Sequence, residues 1–358
     1  MSSPSIVVKL GTSSLTDADG VIDVAFIDRV AAELAELRSA GHQVTVVSSG
    51  AIAAGLPALG LDGAARPTDA ASLQAISAIG QPTLLETWRR AFAPSGLVVG
   101  QILLAPHNFG ERSQYLHARS TLGKLHEMGV IPIVNENDAV TDDEIRYGDN
   151  DRIAALVANM VEADTLVMLT DTDGVLTADP NVDPDATLIE EIADFADLDT
   201  ETIGGAGSAR GSGGMTSKLT AAKIASRSGV RTVIANAKRD RVVRDALEGA
   251  AGVGTTVLPA RTTTTARKLW IEFALPTVAR VVVDDGARQA LAKGGRSLLS
   301  VGVLDVEGSF DRRDPIEVAD ATGTVFARGL ARTASTDVSS DVDGQVVMHT
   351  DDLVLVDD

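Results

Sequence analysis

Two lysines far apart in this sequence each sit beside a glycine-bearing turn. Lys9 ends a β-branched run and is followed by Leu10-Gly11-Thr12-Ser13-Ser14, a turn whose backbone N–H groups can face an anion. Lys218 closes the glycine-rich stretch from Gly204 through Ser212, Gly213, Gly214, Met215, Thr216 and Ser217, which runs into a helical pattern. Taken singly, the first reads equally well as a surface lysine before an ordinary turn, whereas the lysine at the helical end of the second favours phosphate cradling over a plain flexible linker. Between them, polar clusters follow apolar runs at Ser48-Ser49-Gly50-Ala51, Asn135-Glu136-Asn137-Asp138 and Thr170-Asp171, and Asp149-Asn150-Asp151 directly precedes an apolar-periodic helix. A helix cap accounts for one residue of 149–151 but not for the cluster. Lysines, glycine amides and carboxylates together fit phosphoryl transfer, which needs positioning and charge neutralisation more than covalent chemistry. One ammonium about 4 Å from a phosphate oxygen contributes roughly 4 kcal/mol at an effective dielectric of about 20. Expressed only in the transition state, that is on the order of a thousandfold in rate. No histidine stands out as a base, which suits a carboxylate acceptor, since an acid with a pKa near about 4.3 is already ionised.

Other sites are excluded. The loop ending at Lys218 lacks the Gly-Lys pair of a Walker motif. Gly205 and Gly207 start a dinucleotide fingerprint that fails at Arg210, and Gly211 and Gly213 start one that fails at Thr216. The histidines show no two-His metal spacing with a third ligand, and His107, His117 and His126 read as helix surface. No protein metal ligand set is expected. The chain has no cysteine, which removes disulfides, thiolate nucleophiles and Cys-based metal sites.

These residues have to be positioned by a scaffold. Ile6–Val8, Val44–Val47, Leu97–Leu104, Val130–Val134, Thr165–Leu169 and Arg231–Ala235 read as strands. Helical patterns lie between them near 111–128, 149–162 and 216–228. A further helix is expected after Asp23 as cap, with Ile27, Val30, Leu34 and Leu37 on its apolar face and Gly41 at its end. Strands apolar on both faces, separated by helices, predict an α/β fold: a mostly parallel sheet covered on both sides, with ligands beyond the carboxyl ends of the strands. Around Pro259–Lys268 the pattern breaks into a polar, threonine-rich connector. Short strands at Ala279–Val283, Pro315–Val318, Thr324–Ala327 and Gln345–Met348 follow as a small β-rich module. The expected division is 1–258, a linker at 259–276, and 277–358.

Six blocks carry a resemblance to a known family. Val8-Lys9-Leu10-Gly11-Thr12-Ser13, Ser48 to Gly55, Val134 to Val140, Gly148-Asp149-Asn150-Asp151, Leu169-Thr170-Asp171 and Gly213 to Lys218 resemble, in the same order, the glutamate 5-kinases of the amino-acid kinase family. The tail is similar to a PUA domain through Val283 to Ala287, Gly295 to Leu299 and Gly308-Ser309-Phe310. It departs at Arg313-Asp314, where a Gly-Asp or Gly-Glu pair is usual. The resemblance implies a three-layer α/β/α sandwich followed by the PUA domain, and phosphorylation of the L-glutamate γ-carboxylate by ATP with Mg²⁺. It implies catalytic roles for Lys9, Lys218 and Asp151. Ser49, Gly50, Ala51, Asn135, Asp138 and Asn150 are then the glutamate residues. Lys9, Gly11, Thr170, Asp171 and Ser212 to Lys218 are then the nucleotide residues. It also implies proline as feedback inhibitor, assembly as dimers or tetramers, and glutamyl phosphate reductase as downstream partner.

Sibling kinases fit less well. Aspartate kinases usually read Lys-Phe-Gly-Gly-Thr after the first strand, acetylglutamate has no ammonium for Asp138, and a phosphorylated acceptor would attract basic residues to the 135–138 block. RNA binding, a role of many PUA domains, is disfavoured by charge. The whole chain carries −19, and 277–358 holds 8 Lys and Arg against 15 Asp and Glu. With 44% hydrophobic residues the chain builds a packed core, and with only 3% aromatics it does so from Ala, Val, Leu and Ile. Met1 to Leu10 carries no basic segment followed by a long apolar run, so no signal peptide is expected, and no window reaches membrane length; a cytoplasmic protein without a membrane partner is expected.

Overall fold

The computed structural model describes residues 3–61, 66–105, 107–140, 149–179, 183–195, 198, 214–261, 264–273, 275, 277–338 and 344–356. The chain divides into two compact units, Met1–Thr263 and Thr264–Asp358.

In the first unit, β1 (Ser5–Leu10), β2 (Gln43–Ser48), β3 (Val99–Leu104), β4 (Ile131–Glu136), β5 (Thr165–Thr170), β6 (Glu191–Ile192), β7 (Arg231–Asn236) and β8 (Thr255–Val257) form one sheet. Their order is β3-β4-β2-β1-β5-β7-β8-β6, and only the β7–β8 pairing is antiparallel. The helices are α1 (Thr12–Leu15), α2 (Val24–Ser39), α3 (Ala51–Gly55), α4 (Ala70–Phe92), α5 (His107–Gly110), α6 (Arg112–Glu127), α7 (Asp149–Met160), α8 (Met215–Arg227) and α9 (Val242–Glu248). They cover both faces, giving the three-layer α/β/α arrangement. Successive strand side chains point to opposite faces. Ile6, Val8 and Leu10 of β1 therefore join the core around Val30, Leu34, Trp88, Phe92 and Val243 of α2, α4 and α9. Lys9 has the opposite parity and turns to the face covered by α7. Asp23 caps α2 as expected, its carboxylate accepting from the Phe26 N–H at 3.0 Å.

The longest helix, α4, is not anticipated by the sequence. Gly80 and Pro82 lie in its middle, where they ordinarily break a helical pattern. The glycine is there because of a neighbour. A Cβ on Gly80 would come within 1.8 Å of the Ala51 carbonyl oxygen, and one on Gly55 within 2.2 Å of that of Ile76. The backbones of α3 and α4 are thus in direct contact. His126, expected at the surface, is buried, with its Nε2 hydrogen-bonded to the Thr45 hydroxyl at 2.9 Å. His126 lies at the carboxyl end of α6, where burial holds its imidazole below the usual pKa.

The second unit contains α10 (Ala266–Phe273), β9 (Ala279–Val283), α11 (Asp285–Ala292), β10 (Leu298–Leu299), β11 (Val303–Glu307), β12 (Pro315–Ala319), β13 (Val325–Ala331) and β14 (Val346–Leu355). Its sheet runs β10-β14-β13-β12-β9-β11 around a core that includes Val281, Phe310, Ile316, Val318 and Met348. α10 corrects the connector expected at 259–276. Leu269, Trp270 and Ile271 are buried, and the threonines preceding them mask the helical pattern. Arg267 of α10 pairs with Asp352 of β14 at 2.6 Å, and Arg332 holds the other carboxylate oxygen at 2.7 Å. Arg313, the residue that departs from the usual glycine, adopts φ +78°. The arginine therefore occupies a backbone conformation that favours glycine.

Two substitutions test this packing through urea unfolding of the full chain. Gly80→Ala is expected to cost about 1–3 kcal/mol by forcing α3 and α4 apart, and an unchanged midpoint contradicts the contact. Arg313→Gly is expected to stabilise by about 1 kcal/mol, and a loss of stability contradicts the strain.

Candidate active site

The polar side chains of the first unit converge where β1, β2, β4 and β5 end. Lys9 leaves β1 on the face covered by α7, whose first turn carries Asp151. Lys9 Nζ lies 2.5 Å from Asp151 Oδ1, and Lys218 Nζ, from the first turn of α8, lies 3.6 Å from Asp151 Oδ2. All three are buried: Asp151 is 1% exposed, Lys9 4% and Lys218 7%. The Ser217 hydroxyl lies 2.7 Å from Asp151 Oδ2 and 2.8 Å from the Gly214 carbonyl oxygen, and its single proton can serve one acceptor at a time. Burial by itself pushes the Asp151 carboxyl up. The charges of Lys9 and Lys218, with the hydrogen bonds from Lys9 and Ser217, outweigh burial and hold it below the usual carboxylate range. For Lys9, burial and the Lys218 charge prevail over the attraction of Asp151, so its ammonium sits below the usual lysine pKa. Two like charges and one opposite charge are thus gathered at a buried point.

Gly11 follows Lys9 at the start of α1, and a Cβ there would come within 3.3 Å of Lys9 Nζ. Gly50 begins α3 at φ +97°, the left-handed region, and leads into the buried Ala51. The Ser49 N–H donates to the Leu10 carbonyl at 3.0 Å, tying the end of β2 to that of β1. At the end of β4, Asn135 Oδ1 and Asn150 Oδ1 both accept from the Glu136 N–H, at 2.8 and 3.2 Å. Asp138, in the short turn that follows, accepts from the Ser77 hydroxyl at 2.5 Å. Burial pushes the Asp138 carboxyl above its ordinary range, and the Ser77 hydrogen bond opposes that.

On the other side of Lys9, the Thr170 hydroxyl donates to Asp171 Oδ1 at 3.2 Å, beyond β5. Gly214 precedes α8, with Met215 half-buried and Thr216 exposed, while Ser212 and Gly213 lie outside the described residues. A cavity of about 300 Å³ opens at the ends of β5 and β7, lined by Asp173, Asn236, Lys238, Arg239, Gly252 and Val253. Asn236 Nδ2 donates to Asp173 Oδ1 at 2.8 Å across it. The lining residues after β7 escape sequence reasoning, although their place at a strand's carboxyl end is the signal that would have found them. Ser77 and Gln81, which bond to the 135–138 segment, escape it because α4 does. Among the described residues, no three His, Asp or Glu side chains are grouped to hold a metal ion, and no helix is long and apolar enough to cross a membrane.

The model of the amino acid kinase family matches residues 4–236, and that of the PUA domain matches 279–348. The chain is 41% identical over 365 residues to glutamate 5-kinase of Pelobacter propionicus, spanning 98% of this chain and 97% of that protein. It is 43% identical over 333 residues to glutamate 5-kinase of Caldanaerobacter subterraneus subsp. tengcongensis, spanning 93% and 89%. The chain belongs to the glutamate 5-kinase family. Among solved structures, carbamate kinase from Giardia lamblia bound to AMP-PNP superposes with a TM-score of 0.51 at 18% identity, covering 72% of this chain and 99% of that one. That likeness concerns the fold.

In this member of the glutamate 5-kinase family, Asp151→Asn removes the carboxylate between two buried ammonium groups. It is expected to destabilise the chain by about 3 kcal/mol, read as a lowered urea midpoint. A midpoint equal to that of the unsubstituted chain contradicts the pairing.

Proposed function

We infer that this chain transfers the γ-phosphoryl group of ATP to the γ-carboxylate of L-glutamate, giving γ-glutamyl 5-phosphate and ADP, the first step of proline biosynthesis. The observation that carries the reading is the buried Lys9–Asp151–Lys218 cluster, in a chain related over nearly its whole length to glutamate 5-kinases. A glutamate carboxylate oxygen attacks the γ-phosphorus as the bond to the bridging oxygen breaks, and the electron pair leaves with ADP. The acceptor is ionised at neutral pH, so no residue has to take a proton. Lys9 and Lys218 neutralise charge on the transferring group, and Asp151 keeps both ammonium groups aimed at it. Gly11 and Gly50 present backbone N–H groups to the phosphates and the acceptor carboxylate.

Ser49, Gly50, Ala51, Asn135 and Asn150 frame glutamate, and Asp138 pairs with its ammonium, a charge only a carboxylate neutralises. Thr170, Asp171 and the segment 212–218 line the nucleotide. The cavity beside Asp173 and Asn236 lies next to Thr170 and suits the nucleoside end. Mg²⁺ carried with ATP would supply further charge neutralisation at the phosphates. Proline competes for the glutamate site. The chain works in the cytoplasm as a homo-oligomer, and its labile acyl phosphate passes to glutamyl phosphate reductase.

The test is ATP turnover with hydroxylamine trapping of the acyl phosphate. Glutamate is expected to give hydroxamate that millimolar proline suppresses competitively, whereas aspartate and acetylglutamate give little. Lys9→Ala and Lys218→Ala are each expected to lower kcat on the order of a thousandfold, with a much smaller rise in the KM for glutamate. Full kcat in either variant, or equal turnover of aspartate, contradicts the reading.

A further inference from the structure

A serine inside a helix ordinarily turns its hydroxyl back to the carbonyl four residues earlier. This chain follows that habit repeatedly: Ser39 donates to Ala35, Thr87 to Thr83, Thr121 to His117 and Ser228 to Ile224, each through the backbone oxygen. Thr87 lies on α4 itself. Ser77, on the same helix and 1% exposed, does not. Its hydroxyl reaches across to a different element and donates to Asp138 Oδ2 at 2.5 Å.

One turn further along α4, Gln81 makes the same kind of reach. Its Nε2 donates to the Glu136 carbonyl at 3.2 Å, while its Oε1 accepts from Asn135 Nδ2 at 3.3 Å and Gln101 Nε2 at 3.0 Å. The two residues are spaced i, i+4 and share one face of the helix. Gln81 fixes the backbone at the end of β4, and Ser77 fixes the carboxylate that emerges two residues later. The helix is held at that distance by the backbone contact of Gly80 with α3.

We propose that Ser77 is a positioning residue for amine recognition, orienting the Asp138 carboxylate so that its free oxygen meets the substrate ammonium and thereby setting the affinity for amino-bearing acceptors. The proposal rests on Asp138 as the ammonium partner. Its physical content is the division of labour between the two carboxylate oxygens. Oδ2 is committed to Ser77, and among the described residues no ion pair or hydrogen bond engages Oδ1. A carboxylate held by one strong, short bond has lost most of its rotational freedom before the ligand arrives. The hydroxyl also opposes the effect of burial on Asp138 and so favours the charged form that an ammonium requires. Ser77 acts through the carboxylate of Asp138, so on this proposal its effect falls on substrate binding and leaves the chemical step alone.

The test is steady-state kinetics of the full chain carrying Ser77→Ala, the near-isosteric Ser77→Cys, Asp138→Asn, and each Ser77 change combined with Asp138→Asn. Ser77→Ala and Ser77→Cys are each expected to raise the KM for glutamate about tenfold, with kcat within about twofold and the KM for ATP unmoved. In the Asp138→Asn background neither change is expected to raise the KM further, because the partner through which Ser77 acts is gone. Binding of glutarate, which has the two carboxylates but no ammonium, measured as competition against glutamate, is expected to be unaffected by either change. A purely structural role for Ser77 would weaken glutamate and glutarate alike and add to the effect of Asp138→Asn, and that pattern overturns the proposal. If Asp138→Asn raises the KM while the Ser77 variants do not, the proposal fails and the reading of Asp138 stands. If Asp138→Asn itself leaves the KM unchanged, both fall together. Ser77→Cys keeps the volume of the site, so it reports even if the alanine variant does not fold.

Discussion

A carboxylate almost without solvent contact lies between two buried ammonium groups, and the placement of every other group at this site follows from that. Removing three charges from water is costly, and mutual attraction offsets the cost only when the geometry is good. Lys9, Asp151 and Lys218 come from β1, α7 and α8, so the cluster forms only once the sheet and both helices are assembled. Two ammonium groups gathered at one carboxylate make an arrangement that suits a phosphoryl group. The rest of the sheet's carboxyl edge divides around it, with amides and Asp138 on the β2–β4 side and Thr170, Asp171 and a cavity on the β5–β7 side.

α4 ties the β2–β4 side of the site together. Trp88 donates to the Ser48 hydroxyl at 3.0 Å at the end of β2, Gln81 bonds to the end of β4, and Ser77 bonds to Asp138. Three successive reaches from one rigid helix fix the spacing of two strand ends that are not joined by any short loop. Precision of this kind is what a positioned phosphoryl transfer requires, since small misplacements of reacting groups cost large factors in rate.

What was legible in the sequence were groups whose local surroundings betray them. Lys9, Gly50, Asp138, Asp151 and Thr170 each stand just past an apolar strand or at a helix start, where a polar cluster has no structural excuse. The parallel sheet was legible for the same reason, because strands covered on both faces read as unbroken apolar runs. Ser77 and Gln81 were not legible. They lie on a helix whose own pattern is interrupted by Gly80 and Pro82, and the need for Gly80 comes from Ala51, nearly thirty positions away. Asn236 and Lys238 follow a strand that was read correctly, but isolated polar residues there look like any turn. In the second unit, the threonine tract hid α10, whereas the odd Arg313-Asp314 pair did mark a real backbone peculiarity, the left-handed arginine.

The bond between Trp88 and Ser48 has an optical consequence. The chain holds only two tryptophans, and the indole of Trp88 is anchored by its N–H to the residue preceding Ser49, while Trp270 belongs to the other unit. Indole emission responds to the polarity and hydrogen bonding around the ring. The end of β2 is therefore hydrogen-bonded to a chromophore the protein already carries, one that needs no label to be observed.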